Sequence, residues 1–113
     1  MGTIMIGYWP RQTYMENGAS DVSFGGLAGT TLPDTLLPPM GTGDFPTGDL
    51  TRPTFMKQLK YVLSNYTVED INYNEIGHHV DNLDCYDVMY LSYVDSFSRE
   101  TLTFGGPGGR CIK

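Results

Sequence analysis

Closely spaced glycine and proline residues limit this chain to short extended segments. The sequence has 14 Gly and 7 Pro among 113 residues, and they separate stretches that are rich in β-branched and aromatic side chains. Neither residue suits a helix interior, so long helices are not expected. The β-prone stretches are Thr3–Trp9, Asp21–Gly26, Thr54–Leu63, Tyr86–Val94 and Glu100–Phe104. Short strands with many turn residues predict a mainly β, antiparallel architecture.

The remaining segments are predicted to be loops, with one short helix. Pro10 and Gly18 flank Arg11–Asn17 in the way that residues at a helix start and end do. Gly29–Leu50 is rich in Gly and Pro, and Ser64–Leu83 is polar without a clear period, so both are predicted to be long loops. Helix competes with strand at Thr54–Leu63, where Met, Lys, Gln and Leu favour it.

Five short strands form a thin sheet, and the apolar face of such a sheet must pack on another layer. No second sheet is evident in the sequence. We therefore expect one domain over residues 1–113 that forms part of a β-sandwich rather than all of it.

Charge and hydropathy exclude several classes of partner. The net charge is -6 with only 7 Lys plus Arg, whereas nucleic-acid binding needs clustered cations. No apolar run has transmembrane length, so no membrane partner is expected. The first residues lack the basic region and cleavage site of a signal peptide.

Two cysteines, Cys85 and Cys111, fit one disulfide in an oxidising compartment, and two free thiols are the alternative. A bridge would close a loop of about 27 residues and contribute about 3.5 kcal/mol in the chain-entropy model. The sequon at Asn65, completed by Thr67, adds weight to secretion and makes Asn65 a candidate for glycosylation.

No metal or cofactor is expected. His78 and His79 are adjacent and far from the cysteines, which is not the ligand spacing of a zinc site. On a strand the two imidazoles would face opposite ways, so solvated loop histidines are the simpler interpretation.

Six short motifs in one order resemble the neprosin family of plant proteins. They are Ile6–Pro10, Val22–Gly26, Met40–Pro46, Cys85–Asp87, Phe104–Gly108 and Cys111. Each motif alone is weak, but their order across residues 6–111 is specific. This span is similar to about the C-terminal half of a neprosin-type domain, so the other half-domain is one expected partner.

The resemblance implies a secreted, mostly antiparallel β-sandwich related to a glutamic endopeptidase that cleaves after proline at acid pH. Such an enzyme uses two glutamates. One carboxylate takes a proton from water while the other, held protonated, polarises the scissile carbonyl. The resemblance places Leu27 where the family has one glutamate after the double glycine, and the other glutamate belongs to the half that this chain lacks. Neither catalytic carboxylate is therefore expected here.

Four other acids were candidates to substitute: Asp21, Asp44, Glu75 and Asp87. Turn chemistry explains Asp44 better than catalysis does. Asp87 is expected to bond backbone amides near the disulfide, and Glu75 has no visible partner.

Aromatic residues suggest a groove for proline-rich peptides, because extended proline-rich chains dock on aromatic ridges. Cross-strand packing is the simpler explanation for most of them. The aromatic candidates are Tyr8, Trp9, Tyr86, Tyr90, Tyr93 and Phe104. Tyr8, Trp9, Gly25 and Gly26 are the preferred groove residues. The sequence thus predicts an inactive relative of a secreted peptidase, or alternatively a peptide- or cell-wall-binding module.

Overall fold

The fold is built around a three-stranded antiparallel sheet near the C-terminus. The computed structural model describes residues 7, 10, 18–19, 21–32 and 36–111. In chain order the strands are β1 (Thr54–Met56), β2 (Lys60–Val62), β3 (Val68–Asp70), β4 (Asp87–Tyr93) and β5 (Glu100–Gly105). The main sheet has the order β1-β5-β4, and β2 and β3 form a separate antiparallel hairpin. The mainly β, antiparallel prediction is confirmed, whereas the sandwich stays a prediction.

One face of the main sheet carries the core. Leu102 and Phe104 of β5 are buried there, and Met56, Val88 and Tyr90 pack beside them from the neighbouring strands. Leu59, which precedes β2, is buried in the same cluster, and Ile71 and Met40 pack against it. The hairpin and the long loop thus cover this face because each contributes an apolar side chain at the point where it crosses the sheet.

The opposite face is covered at its centre and more exposed at its edges. Thr101 and Thr103 lie at its centre and are buried. The Thr103 hydroxyl donates to the backbone carbonyl of Thr47 at 3.2 Å, so the long loop satisfies one of the buried hydroxyls. Phe55 and Met89, the register partners of Thr103, remain partly exposed on either side.

The long loop is anchored to the glycine-rich C-terminal segment. Leu37 and Gly109 exchange backbone hydrogen bonds of 2.8 Å, and the Met40 N–H donates to the Gly106 carbonyl at 3.0 Å. The prediction of a long loop at Gly29–Leu50 is therefore confirmed over its described residues, which contain only isolated bridges at Leu37 and Met40.

The predicted disulfide joins Cys85 to Cys111, with a Cα–Cα distance of 5.8 Å that lies in the usual bridging range. Gly106 lies against this link, because a Cβ there would overlap the Cys85 carbonyl oxygen. The Phe104–Gly108 motif therefore needs glycine at position 106 for a close backbone approach.

Two of the predicted strands are confirmed and others need correction. Tyr86–Val94 and Glu100–Phe104 correspond to β4 and β5. Thr54–Leu63 is not one strand, because Gln58 adopts a left-handed φ of 54° between β1 and β2. Each short strand then pairs with a different partner.

Asp21–Gly26 forms no strand, so that prediction is wrong. It is a largely exposed segment whose backbone rests on the core at Gly26 instead of pairing. Ser64–Leu83 is not wholly a loop, since it contains β3 and one turn of 3-10 helix at Tyr73–Glu75. The predicted strand Thr3–Trp9 and helix Arg11–Asn17 lie outside the described residues, Gly7 excepted.

Candidate functional site

The preferred groove residues are only partly placed by the structure. Tyr8 and Trp9 lie outside the described residues. Gly26 packs on the core: a Cβ there would lie 2.6 Å from Met40 Sδ and 2.7 Å from a Phe104 ring carbon. Gly25 meets nothing within 4 Å. Gly26 therefore serves a close approach between the chain and the core, which the double-glycine motif alone did not distinguish from a groove.

Leu27 follows this contact and points into solvent. Leu27 is 100% exposed. Burial therefore cannot shift the pKa of a group placed at this position.

The aromatic candidates divide into core and surface residues. Tyr86 is buried, and its hydroxyl donates to the Pro38 carbonyl at 2.6 Å. Phe104 belongs to the core cluster. For these two the packing interpretation is the better one. Tyr90 is half-buried and Tyr93 is half-exposed, so these two tyrosines of β4 remain accessible to a ligand.

A bulge in β4 brings those two tyrosines to the same face of the sheet. Tyr90 pairs with Leu102 and Tyr93 pairs with Glu100, while the register shifts by one residue between Tyr90 and Ser92. In a regular strand, residues three apart face opposite sides. The inserted residue, accompanied by a left-handed φ of 61° at Ser92, cancels that alternation.

Tyr90 is held by two neighbours. Its ring stacks on Tyr73, with centroids 6.0 Å apart, and its hydroxyl donates to the Glu100 carboxylate. Burial, followed by the hydrogen bond to Glu100, raises the pKa of Tyr90 to about 12. The phenol therefore stays protonated and keeps donating to Glu100 across the physiological range.

An ion-pair cluster lies beside these tyrosines. Arg99 contacts both carboxylate oxygens of Asp70, and Lys60 Nζ lies 2.6 Å from Asp70 Oδ1. The hydrogen bond from Arg99, then that from Lys60, lowers the pKa of Asp70 to about 2. The Arg99 guanidinium also lies 5.7 Å from the Tyr93 ring centre. We call Tyr73, Tyr90 and Tyr93, with Glu100 and Arg99, the tyrosine surface.

Two of the four acids named from the sequence have local partners. Asp44 pairs loosely with Arg52 at 3.7 Å. The carboxylate of Asp87 accepts from the Val88 N–H at 2.8 Å, a local backbone bond of the expected kind. Glu75 lies in the 3-10 turn, and Asp21 lies in the exposed segment before Gly26.

The histidines and the sequon lie in exposed segments. His79 Nε2 is 2.6 Å from Asp81 Oδ1, and His78 beside it is exposed. Among the described residues, no group of three or more His, Cys, Asp or Glu side chains could hold a metal ion. Within the same part of the chain, no helix has the length and apolar character needed to cross a bilayer. Asn65 and Thr67 are exposed in the loop between β2 and β3.

Comparison with known protein families identifies the family of the domain that contains the tyrosine surface. The family model described as Neprosin matches residues 1–107. The chain belongs to the neprosin family. Neither the comparison with curated proteins nor that with solved structures finds a match. The match spans the double glycine, the long loop, the tyrosine surface and Cys85, so these features belong to a neprosin domain.

Sequence reasoning missed much of this surface. It named Tyr90 and Tyr93 as candidates but not Tyr73, Arg99 or Glu100, nor Asp70, which pairs with Arg99. Asp70 and Arg99 are 29 residues apart, and no local pattern links them. The run of tyrosines in β4 was the only available signal, and it could not show which of them share a face.

Proposed function

We propose that this neprosin domain binds peptides without hydrolysing them. The observation that carries the proposal is Leu27, which stands fully exposed where the resemblance to the family assigns a catalytic glutamate. A leucine side chain can neither take nor give a proton. Hydrolysis by a carboxyl pair also needs one member to be protonated at the working pH.

The charges of the described carboxyls support this proposal. The three carboxyls with resolved pKa shifts, Asp49, Asp70 and Asp95, are all shifted downward. At Asp49 and Asp95 the leading cause is a hydrogen bond from Thr51 and from the Ser98 backbone respectively. Groups of this kind stay ionised and are poor general acids near neutral pH.

The tyrosine surface supports the binding half of the proposal. Tyr73 and Tyr93 are exposed, and contacts with Tyr90 and Arg99 orient their rings. Proline-rich peptides adopt an extended helix that docks on such rings at low entropic cost. The net charge of -6 further favours neutral or basic peptides over acidic ones.

Titration of a labelled peptide rich in proline and containing lysine tests binding. Loss of an aromatic ring at a binding hot spot costs about 2 kcal/mol or more, so we expect Tyr93→Ala to weaken the Kd about tenfold or more. The matched control is Tyr66→Ala, since Tyr66 is an exposed tyrosine on the β2–β3 loop. Equal affinities of Tyr93→Ala and the unaltered chain would contradict the role of the surface.

Hydrolysis is tested separately. Incubation of the same peptide at acid pH is expected to leave it intact, as followed by mass spectrometry. Cleavage after proline that persists through further purification, and that Tyr93→Ala does not share, would show instead that the domain is a peptidase.

We also propose that the domain works outside the cell. The Cys85–Cys111 disulfide supports this, because disulfides persist in oxidising compartments and are rare in the cytosol. Phe55 and Met89, which are partly exposed on the face of the main sheet opposite the core, support packing against the expected partner half-domain. Co-expression with a neprosin N-terminal half should slow amide hydrogen exchange in β1 and β4, and unchanged exchange would contradict this packing.

A further inference from the structure

The hairpin of β2 and β3 ends in a loop that no part of the peptide-binding proposal uses. Leu63 and Thr67 close this loop, with the Leu63 N–H donating to the Thr67 carbonyl at 2.8 Å. Asn65, Tyr66 and Thr67 lie at its tip and are exposed. The tip is therefore open to an enzyme that must enclose a short segment of backbone.

The side chain of Asn65 is held in a defined geometry. Its Oδ1 accepts from the Thr67 N–H at 3.1 Å, which closes a local side-chain turn. No partner is found for its Nδ2 within the described part of the chain. The amide nitrogen is thus presented to solvent, and a threonine stands two residues further on, as an N-glycosylation sequon requires.

Two other asparagines provide an internal comparison. Asn72 Oδ1 accepts from the Asn74 N–H at 3.0 Å, and Asn82 Oδ1 accepts from the Asp84 N–H at 3.3 Å. Each of the three asparagines forms a turn of the same type. Of the three, only Asn65 has a hydroxyl residue two positions further along the chain. The turn alone therefore does not distinguish Asn65; the turn together with Thr67 does.

The strand ends beneath this loop expose an apolar surface. Val62 and Val68 are register partners in the hairpin, and their side chains are 64% and 58% exposed. Tyr66 above them is 88% exposed. Exposed β-branched and aromatic residues on a two-stranded hairpin promote edge-to-edge association. A bulky hydrophilic group on Asn65 would be attached to the loop that joins the two strands carrying these valines.

We propose that Asn65 is an N-glycosylation site and that its glycan shields the apolar tip of the β2–β3 hairpin. In the reaction Nδ2 attacks C1 of a polyprenyl-diphosphate-linked oligosaccharide. A C–N bond forms, the C1–O bond to the lipid diphosphate breaks, and the Nδ2 proton passes to a base of the glycosyltransferase. This proposal rests on the proposed passage through a secretory compartment, but it is independent of peptide binding.

The site is tested by directing the full chain into the endoplasmic reticulum of eukaryotic cells with an added leader. Secreted and retained chains are both collected, and peptide N-glycosidase converts each glycosylated asparagine to aspartate, which mass spectrometry locates. We expect conversion at Asn65 in most chains, none in Asn65→Gln or Thr67→Ala, and retention in Thr67→Ser. Unmodified Asn65 in both fractions would overturn the proposal.

Asn74→Thr is the matched control, because it supplies a hydroxyl two residues after Asn72, in the same turn. It should add a second glycan at Asn72. Modification of Asn72 in this variant without modification of Asn65 would show that the Asn65 loop is a poor acceptor, and would also overturn the proposal.

A separate measurement tests whether the glycan shields the apolar tip of the hairpin. Removal of the glycan from the folded protein should lower the monomer fraction at least twofold in size-exclusion chromatography, and Val62→Thr combined with Val68→Thr should restore it. An unchanged monomer fraction after deglycosylation would overturn the shielding role. Peptide affinity serves as the separate measure of the proposed function.

Discussion

Individual residues in this domain are constrained mainly by two kinds of contact. These are close backbone approaches and ion pairs between residues that are distant in the sequence. Gly106 lies against the Cys85 carbonyl, and Gly26 lies against Met40 and Phe104. Asp70 forms ion pairs with two basic side chains, those of Lys60 and Arg99. At each position the neighbouring atoms, rather than the local sequence, decide which side chains are tolerated.

Gly106→Ala should destabilise the domain. The added methyl group would overlap the Cys85 carbonyl oxygen, and the disulfide beside it limits how far that backbone can shift. Overpacking of this kind typically costs about 1–3 kcal/mol, measured as the free energy of unfolding in urea. Gly77→Ala is the control, since nothing lies within 4 Å of the added methyl group. It should change stability by less than about 0.5 kcal/mol.

The Asp70 cluster should make stability depend on pH at the acid end. The pKa of Asp70 is lowered from 3.8 to about 2 in the folded state. A depressed pKa means that the ionised group stabilises the fold above the unfolded-state value, and that this stabilisation disappears as pH falls through the folded-state value. The thermal midpoint of Asp70→Asn should therefore lie below that of the unaltered chain near neutral pH.

The difference between those midpoints should shrink between about pH 4 and pH 2. Asp81→Asn is the control, because Asp81 pairs with His79 on the fully exposed surface, and such pairs contribute little. A difference for Asp70→Asn that is the same at pH 2 and pH 6 would argue against the ion-pair explanation.

Among the secondary-structure elements, β4 contributes two of the three tyrosines of the tyrosine surface. Its bulge turns Tyr93 to the same face as Tyr90, where Arg99 and Glu100 meet the two rings. β1, β2 and β3 have three residues each, and Leu59 before β2 is buried in the core.

Substitution at Ser92 should test the bulge. Its φ of 61° is in the left-handed region, where a β-branched residue costs about 1–2 kcal/mol. We expect Ser92→Val to lose that much stability and to weaken peptide binding, because straightening β4 would turn Tyr93 to the opposite face. Ser92→Gly accepts this φ, so its peptide affinity should match that of the unaltered chain. Equal loss in both variants would indicate that the hydroxyl, and not the backbone, matters.

At the scale of the whole molecule, links between residues distant in the sequence hold the segments around the main sheet in place. The bridges from Leu37 and Met40 to the C-terminal glycines and the Cys85–Cys111 disulfide hold the chain end against the sheet. The polar turn at Asp95 closes β4 to β5 by accepting from Phe97 and Ser98.

Reduction of the disulfide should lower the free energy of unfolding. The cysteines are separated by 26 positions. A closed loop of that size contributes about 3.5 kcal/mol by restricting the unfolded chain. Urea denaturation with and without dithiothreitol measures the change. The same reductant should have no effect on the double variant Cys85→Ser, Cys111→Ser, and an equal effect there would exclude the disulfide as the cause.

The sequence by itself determined the β class, the strands β4 and β5 and the neprosin motifs, whereas it offered the disulfide only as one of two alternatives. These are local signals: alternating side chains, glycine spacing and short motifs persist whatever the rest of the chain does. It failed for Asp21–Gly26, where β propensity suggested a strand but Gly26 packs as bare backbone on the core. It also missed β3, whose three residues are polar or exposed and are held by pairing with β2.

Only the tertiary structure decided how the tyrosine surface is assembled. A one-residue bulge changes which side chains share a face, and no alternation pattern reveals it before the pairing with β5 is known. The contact of Asp70 with Arg99 and the stacking of Tyr73 on Tyr90 likewise depend on how the hairpin and the 3-10 turn lie over the sheet. Strand propensity depends on residues that are neighbours in the sequence. The tyrosine surface depends instead on which distant segments pack together around the core.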